Sequence, residues 1–168
     1  MSNLPPFQRF LDANADVVLR FLIASVGRHD ADDAFQETFL SALRAYDRLT
    51  PDSNLRGWVM TIAHRKALDI HRARARAPDP VAPSEAEQHA PPTPAADAGV
   101  DVSGGEHWGR VRALPPRQRA VLTLRHAGDL TYAEIAIVLG GSEDAARRAA
   151  ADGLKSLRKE LPDVPATT

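Results

Sequence analysis

Residues 131–150 read TYAEIAIVLGGSEDAARRAA, and this stretch decides the fold of the C-terminal half of the chain. Thr131 and Glu134 have the spacing of a capping box, in which each side chain accepts a hydrogen bond from the other residue's backbone amide. Gly140-Gly141 predicts a tight turn, and Ser142 is suited to cap the longer helix that follows. The three parts together predict a helix-turn-helix, although many helical pairs that do not bind DNA share this pattern.

One more helix is predicted on the N-terminal side of this unit. Leu114-Pro115-Pro116 marks its start, because proline loses no hydrogen bond in the first helical turn, and Gly128 marks its end. Before it, residues 78–105 contain six prolines and almost no large apolar side chain. We predict that they form a flexible linker between a domain of residues 1–77 and a domain of residues 106–168. The alternative is a long functional loop within one domain, but loops of this length are rare in compact domains.

Three helices are predicted in the N-terminal domain, because its apolar residues recur with the period of a helical face. Gly27 is suited to end the first helix, and Asp30, Asp32 and Asp33 favour the start of the second through the helix dipole. The expected fold class is therefore all-α, with an N-terminal helical bundle and a C-terminal helix-turn-helix. The predicted helices of the bundle are Pro6–Val26, Ala31–Tyr46 and Ser53–Ala75.

The composition excludes several classes of function. The chain has 168 residues, a formal net charge of −1 and no cysteine, which rules out disulfides, thiolate zinc sites and a cysteine nucleophile. Its six histidines show no metal-ligand spacing, and no catalytic triad order or phosphate-binding glycine loop is present. We therefore expect no metal, no cofactor and no enzymatic activity. No segment resembles a signal peptide or reaches the ~20 apolar residues of a membrane helix, so a cytoplasmic location is expected.

The near-zero net charge conceals an uneven distribution. Residues 54–77 carry six Arg or Lys side chains and one acid, whereas residues 81–110 carry five acids and one base. A basic helix end can neutralise phosphates, and each such contact adds to the salt dependence of binding. The same arginines are equally compatible with a solvated helix end.

Three ordered motifs resemble those of bacterial RNA polymerase sigma factors. DAFQETFL at residues 33–40 resembles the polymerase-binding signature, and NLRGW at residues 54–58, with the basic helix that follows, resembles the promoter-melting helix. LPPRQR at residues 114–119 and TYAEIA at residues 131–136 resemble the C-terminal DNA-binding domain. Their order, the linker and the small size are similar to the extracytoplasmic-function (ECF, group IV) subfamily of the sigma-70 family. By this resemblance, the N-terminal domain is sigma region 2 and the C-terminal domain is region 4.

The resemblance implies a polymerase-binding surface on the second helix, directed at the coiled coil of the polymerase clamp. Asp33, Gln36 and Glu37 lie at i, i+3 and i+4 and therefore share one helical face. The spacing alone favours a solvated acidic face over core-facing phenylalanines, and the family order is what indicates docking on a basic partner helix. The implied contact residues are Asp33, Gln36, Glu37, Phe39 and Leu40.

The resemblance also implies that the third helix captures a flipped base of the promoter's minus-ten element. Trp58 is suited to stacking on an unpaired base, but its place on the apolar stripe favours a core residue. The chain departs from the family at Arg65, where asparagine is usual, and at Leu49, where an aromatic residue is frequent. Because arginine only donates hydrogen bonds, we expect a changed base preference. The implied DNA-binding residues are Leu49, Asn54, Arg56, Trp58, Arg65, Lys66, Arg72 and Arg74.

The recognition helix of the helix-turn-helix departs further from the family. Ala149, Asp152 and Leu154 replace its later arginines, and Ala146 and Ala150 stand where larger apolar residues usually pack. We therefore predict weaker or altered recognition of the minus-thirty-five element; the alanine surface could instead seat a partner helix. The implied DNA-binding residues are Thr131, Tyr132, Ser142, Glu143, Arg147, Arg148 and Lys155.

The function implied is that of a sigma factor, which binds core RNA polymerase and directs promoter-specific initiation without catalysing a reaction. Its expected partners are the clamp coiled coil of core polymerase and promoter DNA, and the resemblance permits an anti-sigma factor without revealing one. Arg65 and the altered recognition helix leave open a sigma-like, non-initiating regulator that binds polymerase or a protein partner. An enzyme with a helix-turn-helix appendage has no catalytic residues to support it.

Overall fold

A computed structural model describes residues 4–77 and 105–160, and all secondary structure within these ranges is helical, as predicted. The predicted linker lies outside the described residues except for Gly105, which begins a helix. None of the described helices is long and apolar enough to cross a membrane. The helices are α1 Phe7–Val26, α2 Arg28–Tyr46, α3 Leu55–Arg76, α4 Gly105–Ala113, α5 Pro116–His126, α6 Tyr132–Leu139 and α7 Glu143–Glu160.

The N-terminal domain is a bundle of α1, α2 and α3 around an apolar core. Phe21 and Leu22 of α1 and Val59 and Met60 of α3 are fully buried at its centre. Burying one large apolar side chain contributes roughly 1.5–3 kcal/mol, so the apolar stripes of the sequence are sufficient to drive this packing. The bundle holds the basic face of α3 and the acidic face of α2 in fixed positions.

Two caps set the ends of these helices. Gly27 has φ +87°, a backbone conformation that suits glycine, so the chain reverses between α1 and α2 within one residue. The second helix therefore begins at Arg28, earlier than predicted. Asn54 caps α3, because its side-chain oxygen accepts a hydrogen bond from the Gly57 amide at 3.0 Å, and that helix begins later than predicted.

The C-terminal domain packs α4, α5, α6 and α7 around buried Leu122, Leu124 and Ile135. A Cβ atom on Gly153 would lie 2.8 Å from Leu122 Cδ1, so this glycine lets α7 approach α5 closely. Glycine in a helix interior otherwise costs up to about 1 kcal/mol relative to alanine. The helix α4 was not predicted, because its 9 residues offer too short an apolar period to detect.

The two domains pack against each other along a seam formed by α3 with α6 and by α1 with α5. Their buried residues form one continuous apolar cluster. A Cβ atom on Gly128 would lie 2.8 Å from Cε of Met60, so the glycine admits the Met60 side chain into the seam. The Arg20 and Asp129 side chains lie 3.5 Å apart across it. The proline-rich linker predicted two domains but not this association between them.

Candidate nucleic-acid and polymerase interfaces

The residues predicted to bind polymerase lie on α2. Asp33, Gln36 and Glu37 are exposed, as expected for residues on one outward face. Leu40 is 46% exposed, and Leu43, which was not among the predicted contacts, is 51% exposed. We use the term α2 ridge for Gln36, Glu37, Leu40 and Leu43. Exposed leucines beside acidic and amide side chains give this ridge an apolar centre and a charged flank.

Phe39 is not part of the α2 ridge. Its side chain is 5% exposed, and its ring centroid lies 4.8 Å from that of Phe35 and 6.2 Å from that of Phe10. Aromatic pairs at such distances contribute about 0.5–1.5 kcal/mol beyond their burial. Phe39 therefore fixes α2 against α1, and the exposed leucines are the apolar groups that a partner could contact.

Four of the residues predicted to bind the minus-ten element meet at one cavity. Leu49 of the α2–α3 loop, together with Asn54, Trp58 and Arg65, lines an open cavity of about 360 Å³. We term this cavity the Trp58 pocket. An indole face, an amide and a guanidinium at its wall are groups that can stack on a base and donate hydrogen bonds to it. The α3 side of the pocket is completed by Ser53, Gly57, Thr61 and Ile62.

Trp58 is both a packing residue and a pocket residue. Its ring centroid lies 5.9 Å from that of Phe10 and 6.3 Å from that of Tyr46. The Tyr46 hydroxyl in turn donates a hydrogen bond to the Pro5 carbonyl at 2.7 Å, which fixes the aromatic cluster. The indole is thus held by the core and lines the pocket at the same time. From the sequence, Trp58 could be a core residue or a base-stacking residue, and its position is compatible with both.

Two residues of α6 also line the Trp58 pocket. Glu134 Oε1 accepts a hydrogen bond from Asn54 Nδ2 at 2.9 Å, and Ile137, which is 75% exposed, lines the same cavity. Burial raises the pKa of Glu134, but hydrogen bonds from Asn54 and Thr131 and the charge of Arg56 outweigh it, so the pKa lies below its usual value. An ionised carboxylate therefore joins the domains. The sequence did not reveal this role, because the capping box already accounted for Glu134.

Lys66 and Arg72 of α3 form ion pairs at the surface. Lys66 Nζ lies 3.6 Å from Glu37 Oε2 of the α2 ridge, and an Arg72 nitrogen lies 3.4 Å from Asp69 Oδ1. Exposed pairs of this kind contribute about 0–1 kcal/mol, so both cations can turn toward phosphates at little cost. Arg56 and Arg65 are also exposed.

Arg74 has a different environment from the other predicted phosphate contacts. It pairs with Asp30 and donates a hydrogen bond to the Val26 carbonyl at 2.7 Å. These contacts join the end of α3 to the turn between α1 and α2. Its first role is therefore to hold the bundle together.

The helix-turn-helix forms as predicted. The Glu134 amide donates to Thr131 Oγ1 at 3.2 Å, and the Thr131 amide donates to Glu134 Oε2 at 2.8 Å, which completes the capping box. Gly140 and Gly141 have φ +71° and +123° and form the turn. Ser142 Oγ accepts a hydrogen bond from the Ala145 amide at 3.1 Å and caps α7.

Tyr132 organises one end of the recognition surface. The guanidinium carbons of Arg125 and Arg147 lie 5.3 and 5.8 Å from its ring centroid, within the range of a cation–π interaction. Arg147 also pairs with Glu143. Arg147 remains exposed, and an exposed ion pair contributes about 0–1 kcal/mol, so its guanidinium can still turn toward a base or phosphate.

The recognition helix α7 has two distinct faces. Ala146 and Ala150 are buried against the rest of the domain, where their small size lets the helix pack closely. Arg148 and Lys155 are exposed seven positions apart, which places them two turns apart on one outward face. The outward face therefore retains two cations although the later arginines of the family are absent.

Two histidines lie beside the domain seam. Burial lowers the pKa of His64 to about 4, and the charges of His71 and Arg65 add to this effect. The pKa of His71 is also lowered, first by burial and second by the positive charge of Arg119 on α5. Both imidazoles are therefore neutral at physiological pH. Among the described residues, no group of three or more His, Cys, Asp or Glu side chains is placed to hold a metal ion.

Among the described residues, the geometry defines a class of protein: a two-domain, all-helical chain with a pocket lined by Trp58 and Arg65 and with a helix-turn-helix in the C-terminal domain. The family models described as Sigma-70 region 2 and Sigma-70, region 4 match residues 10–77 and 109–157. The chain is 32% identical over 135 residues to the RNA polymerase sigma factor CarQ of Myxococcus xanthus, a match that covers 80% of this chain and 76% of CarQ. The chain therefore belongs to the sigma-70 family.

Further relatives indicate the subfamily. The chain is 31% identical to the ECF RNA polymerase sigma factor BldN of Streptomyces coelicolor and 28% identical to the ECF RNA polymerase sigma factor SigE of Mycolicibacterium smegmatis. Each match covers 94% of this chain but only 61% of BldN and 62% of SigE. The chain thus spans about three fifths of the length of these relatives, and it belongs with them in the ECF group.

Two solved structures share the fold. CnrH in complex with the cytosolic domain of CnrY has a TM-score of 0.68 at 20% identity, covering 91% of this chain and 85% of the other. The sigma factor RpoE in complex with the anti-sigma factor NepR, from Bartonella quintana, has a TM-score of 0.72 at 20% identity, covering 91% and 94%. At this level of identity the similarity shows the fold alone.

Proposed function

We propose that this chain is an initiation factor that binds core RNA polymerase and directs it to promoters, without itself catalysing a reaction. The observation that carries this proposal is the convergence of Leu49, Asn54, Trp58 and Arg65 on one cavity, in a chain that also contains a helix-turn-helix. The proposed division is residues 1–77 as the polymerase-binding and minus-ten-binding domain and residues 106–168 as the upstream duplex-binding domain. Because polymerase is its partner, the chain would act in the cytoplasm.

The α2 ridge is the proposed docking site for the clamp coiled coil. Leu40 and Leu43 offer apolar contact, and Gln36 and Glu37 offer charge and hydrogen-bonding complementarity to a basic helix. Interfaces commonly combine such an apolar centre with charges that steer the encounter. Phe39 supports this ridge from beneath.

The Trp58 pocket is the proposed site for an unpaired promoter base. Flipping a base out of the stack costs a few kcal/mol, and stacking on an aromatic ring returns about 1–3 kcal/mol. Arg65 can only donate hydrogen bonds, so a base with acceptors on its exposed edge is favoured. Arg56 and Arg72 are the proposed phosphate contacts beside the pocket.

The outward face of α7 is the proposed reader of upstream duplex DNA. Arg147, Arg148 and Lys155 are all exposed, and Arg147 also pairs with Glu143 at the surface. Thr131, Tyr132 and Ser142 lie at the helix starts, where backbone amides commonly bind phosphate. The five exposed cations of α7 are available to phosphates of the duplex, and they are Arg147, Arg148, Lys155, Arg158 and Lys159.

An anti-sigma factor is a further proposed partner. It is supported by the sigma factor RpoE, which has this fold and was solved with the anti-sigma factor NepR. The second candidate function, a sigma-like regulator that does not initiate, is favoured by Arg65, a residue that only donates hydrogen bonds, in the pocket wall.

Run-off transcription distinguishes the two functions. The full chain is mixed with core polymerase and fragmented genomic DNA, and the products are sequenced to locate their start sites. Discrete starts that share sequence elements support initiation, and their loss with Trp58→Ala links them to the pocket. Stable binding to core polymerase with no discrete start on any fragment would favour the non-initiating regulator.

A further inference from the structure

We propose that the unpaired base held in the Trp58 pocket is a guanine and that Arg65 is the residue that selects it. The inference rests on the proposed function of the pocket and goes further by naming the base. Trp58 and Arg65 lie two turns apart on α3 and therefore share one face of the helix. Both line the cavity, together with Thr61 and Ile62 of the turns between them. This face thus carries a ring that can stack on a base and a guanidinium that can read the edge of that base.

Asn54 and Thr61 of the pocket wall already make hydrogen bonds within the chain. Asn54 Oδ1 accepts from the Gly57 amide at 3.0 Å, and Asn54 Nδ2 donates to Glu134 Oε1 at 2.9 Å. The Thr61 hydroxyl donates to the Gly57 carbonyl at 2.8 Å. Arg65, by contrast, is exposed, and no hydrogen bond or ion pair to another described residue holds its guanidinium. Arg65 therefore offers the pocket several donors that the fold has not used.

The arginine fork matches the edge of one base especially well. Guanine presents two neighbouring acceptors, N7 and O6, and arginine donates to both at once. On the equivalent edge, adenine has a donor beside its N7, and thymine has one acceptor beside a methyl group. Unpaired cytosine also carries two neighbouring acceptors, O2 and N3, and is the competing base. The hydrogen-bonding pattern therefore reduces the choice to guanine or cytosine.

The dimensions of the pocket favour the larger of these two bases. Trp58 and Arg65 are separated by about 10 Å along the helix axis, and side chains of a helix lean toward its N-terminus, which directs Arg65 back toward the indole. A bicyclic base stacked on the indole extends further into this gap than a pyrimidine does. Leu49 lines the loop side of the cavity with an aliphatic side chain rather than an aromatic one, which leaves room for a second ring.

The alternative role for Arg65 is the attraction of a phosphate, as proposed for Arg56 and Arg72. A phosphate contact strengthens binding to every strand, whereas a base contact strengthens binding only to a strand that contains the matching base. Lysine keeps the positive charge of arginine but not its planar fork of donors. Arg65→Lys therefore separates the two roles, because it preserves the attraction to phosphate and removes the bidentate contact.

The test uses the full chain bound to core polymerase and labelled oligothymidine strands of about 12 nucleotides, within the site size of single-strand binders. Each strand carries one central guanine, adenine, cytosine or 7-deazaguanine. In 7-deazaguanine a C–H group replaces N7, which removes one of the two acceptors and keeps both rings. Fluorescence anisotropy gives the affinity for each strand, and core polymerase without the chain gives the background.

We expect the wild type to bind the guanine strand about tenfold more tightly than the adenine or cytosine strand, because one bidentate contact discriminates by about this factor or more. The advantage should shrink to about twofold or less for 7-deazaguanine, and likewise for guanine in Arg65→Lys. Arg56→Asn is the matched control on the same helix. It should weaken binding to all the strands by a similar factor and keep the preference for guanine.

Three results would overturn the proposal in different ways. Equal affinities, or a preference for cytosine, with binding that Trp58→Ala still weakens would exclude guanine and leave the pocket as a base-binding site. A preference for guanine that survives in Arg65→Lys would show that Arg65 does not select the base. If the chain added nothing to the background, or if Trp58→Ala changed no affinity, the proposed function of the pocket would fail together with the inference.

Discussion

Replacing Glu37 with lysine reverses one charge on the α2 ridge and separates polymerase binding from fold stability. The side chain of Glu37 is 60% exposed, and its described partner is Lys66 at 3.6 Å. Loss of such an exposed pair costs about 0–1 kcal/mol, and the new charge beside Lys66 adds a small repulsion. The free energy of unfolding should therefore fall by no more than about 1 kcal/mol.

The effect on polymerase binding should be much larger. Like charges brought together in an interface cost several kcal/mol, and each 1.4 kcal/mol is a factor of ten in affinity. For a cost of about 3 kcal/mol, Glu37→Lys should weaken binding to core polymerase about 100-fold. The measurement is a titration of the labelled chain with core polymerase by fluorescence anisotropy, alongside a denaturant melt.

Two controls make this prediction specific. Asp16→Lys makes the same charge change at an exposed position of α1 and should leave core affinity within about twofold of the wild type. The double variant Glu37→Lys with Lys66→Glu restores the intramolecular pair but not the surface offered to polymerase, so it should remain defective. If Glu37→Lys bound as well as Asp16→Lys, the docking role of the α2 ridge would be wrong.

Three further predictions concern the core, pH and the pocket. Gly153→Ala should gain up to about 1 kcal/mol of helix propensity. The added methyl group forces Leu122 to move, which typically costs about 1–3 kcal/mol. A denaturant melt should therefore show a lower free energy of unfolding for the variant. The pKa of His64 is about 4 in the folded chain, against 6.5 for an unperturbed histidine, so the unfolded chain binds more protons between these two values. The free energy of unfolding should therefore be unaffected by His64 above pH 6.5 and should fall as the pH is lowered toward 4. Denaturant melts at a series of pH values should show a weaker pH dependence for His64→Gln. Trp58→Ala should abolish promoter opening measured by permanganate footprinting, while Trp58→Tyr, which keeps an aromatic face, should retain part of it.

The helices and their caps were predictable because they depend on neighbours in the sequence. The capping box of Thr131 and Glu134, the cap at Ser142 and the reversal at Gly27 all follow from side chains within four positions of the helix start or end. The apolar periodicity likewise identifies the buried faces of α1, α2 and α3. These local features are sufficient to predict the all-α fold class.

The parts that could not be predicted depend on contacts between distant segments. The spacing of Phe39 is compatible with docking or with the core, and only its position between Phe10 and Phe35 decides for the core. Arg74 belongs to a basic run, but its contacts with the α1–α2 turn give it a structural role. In both cases the pattern identifies a face of the helix, whereas the partner on that face comes from the packing of the whole bundle.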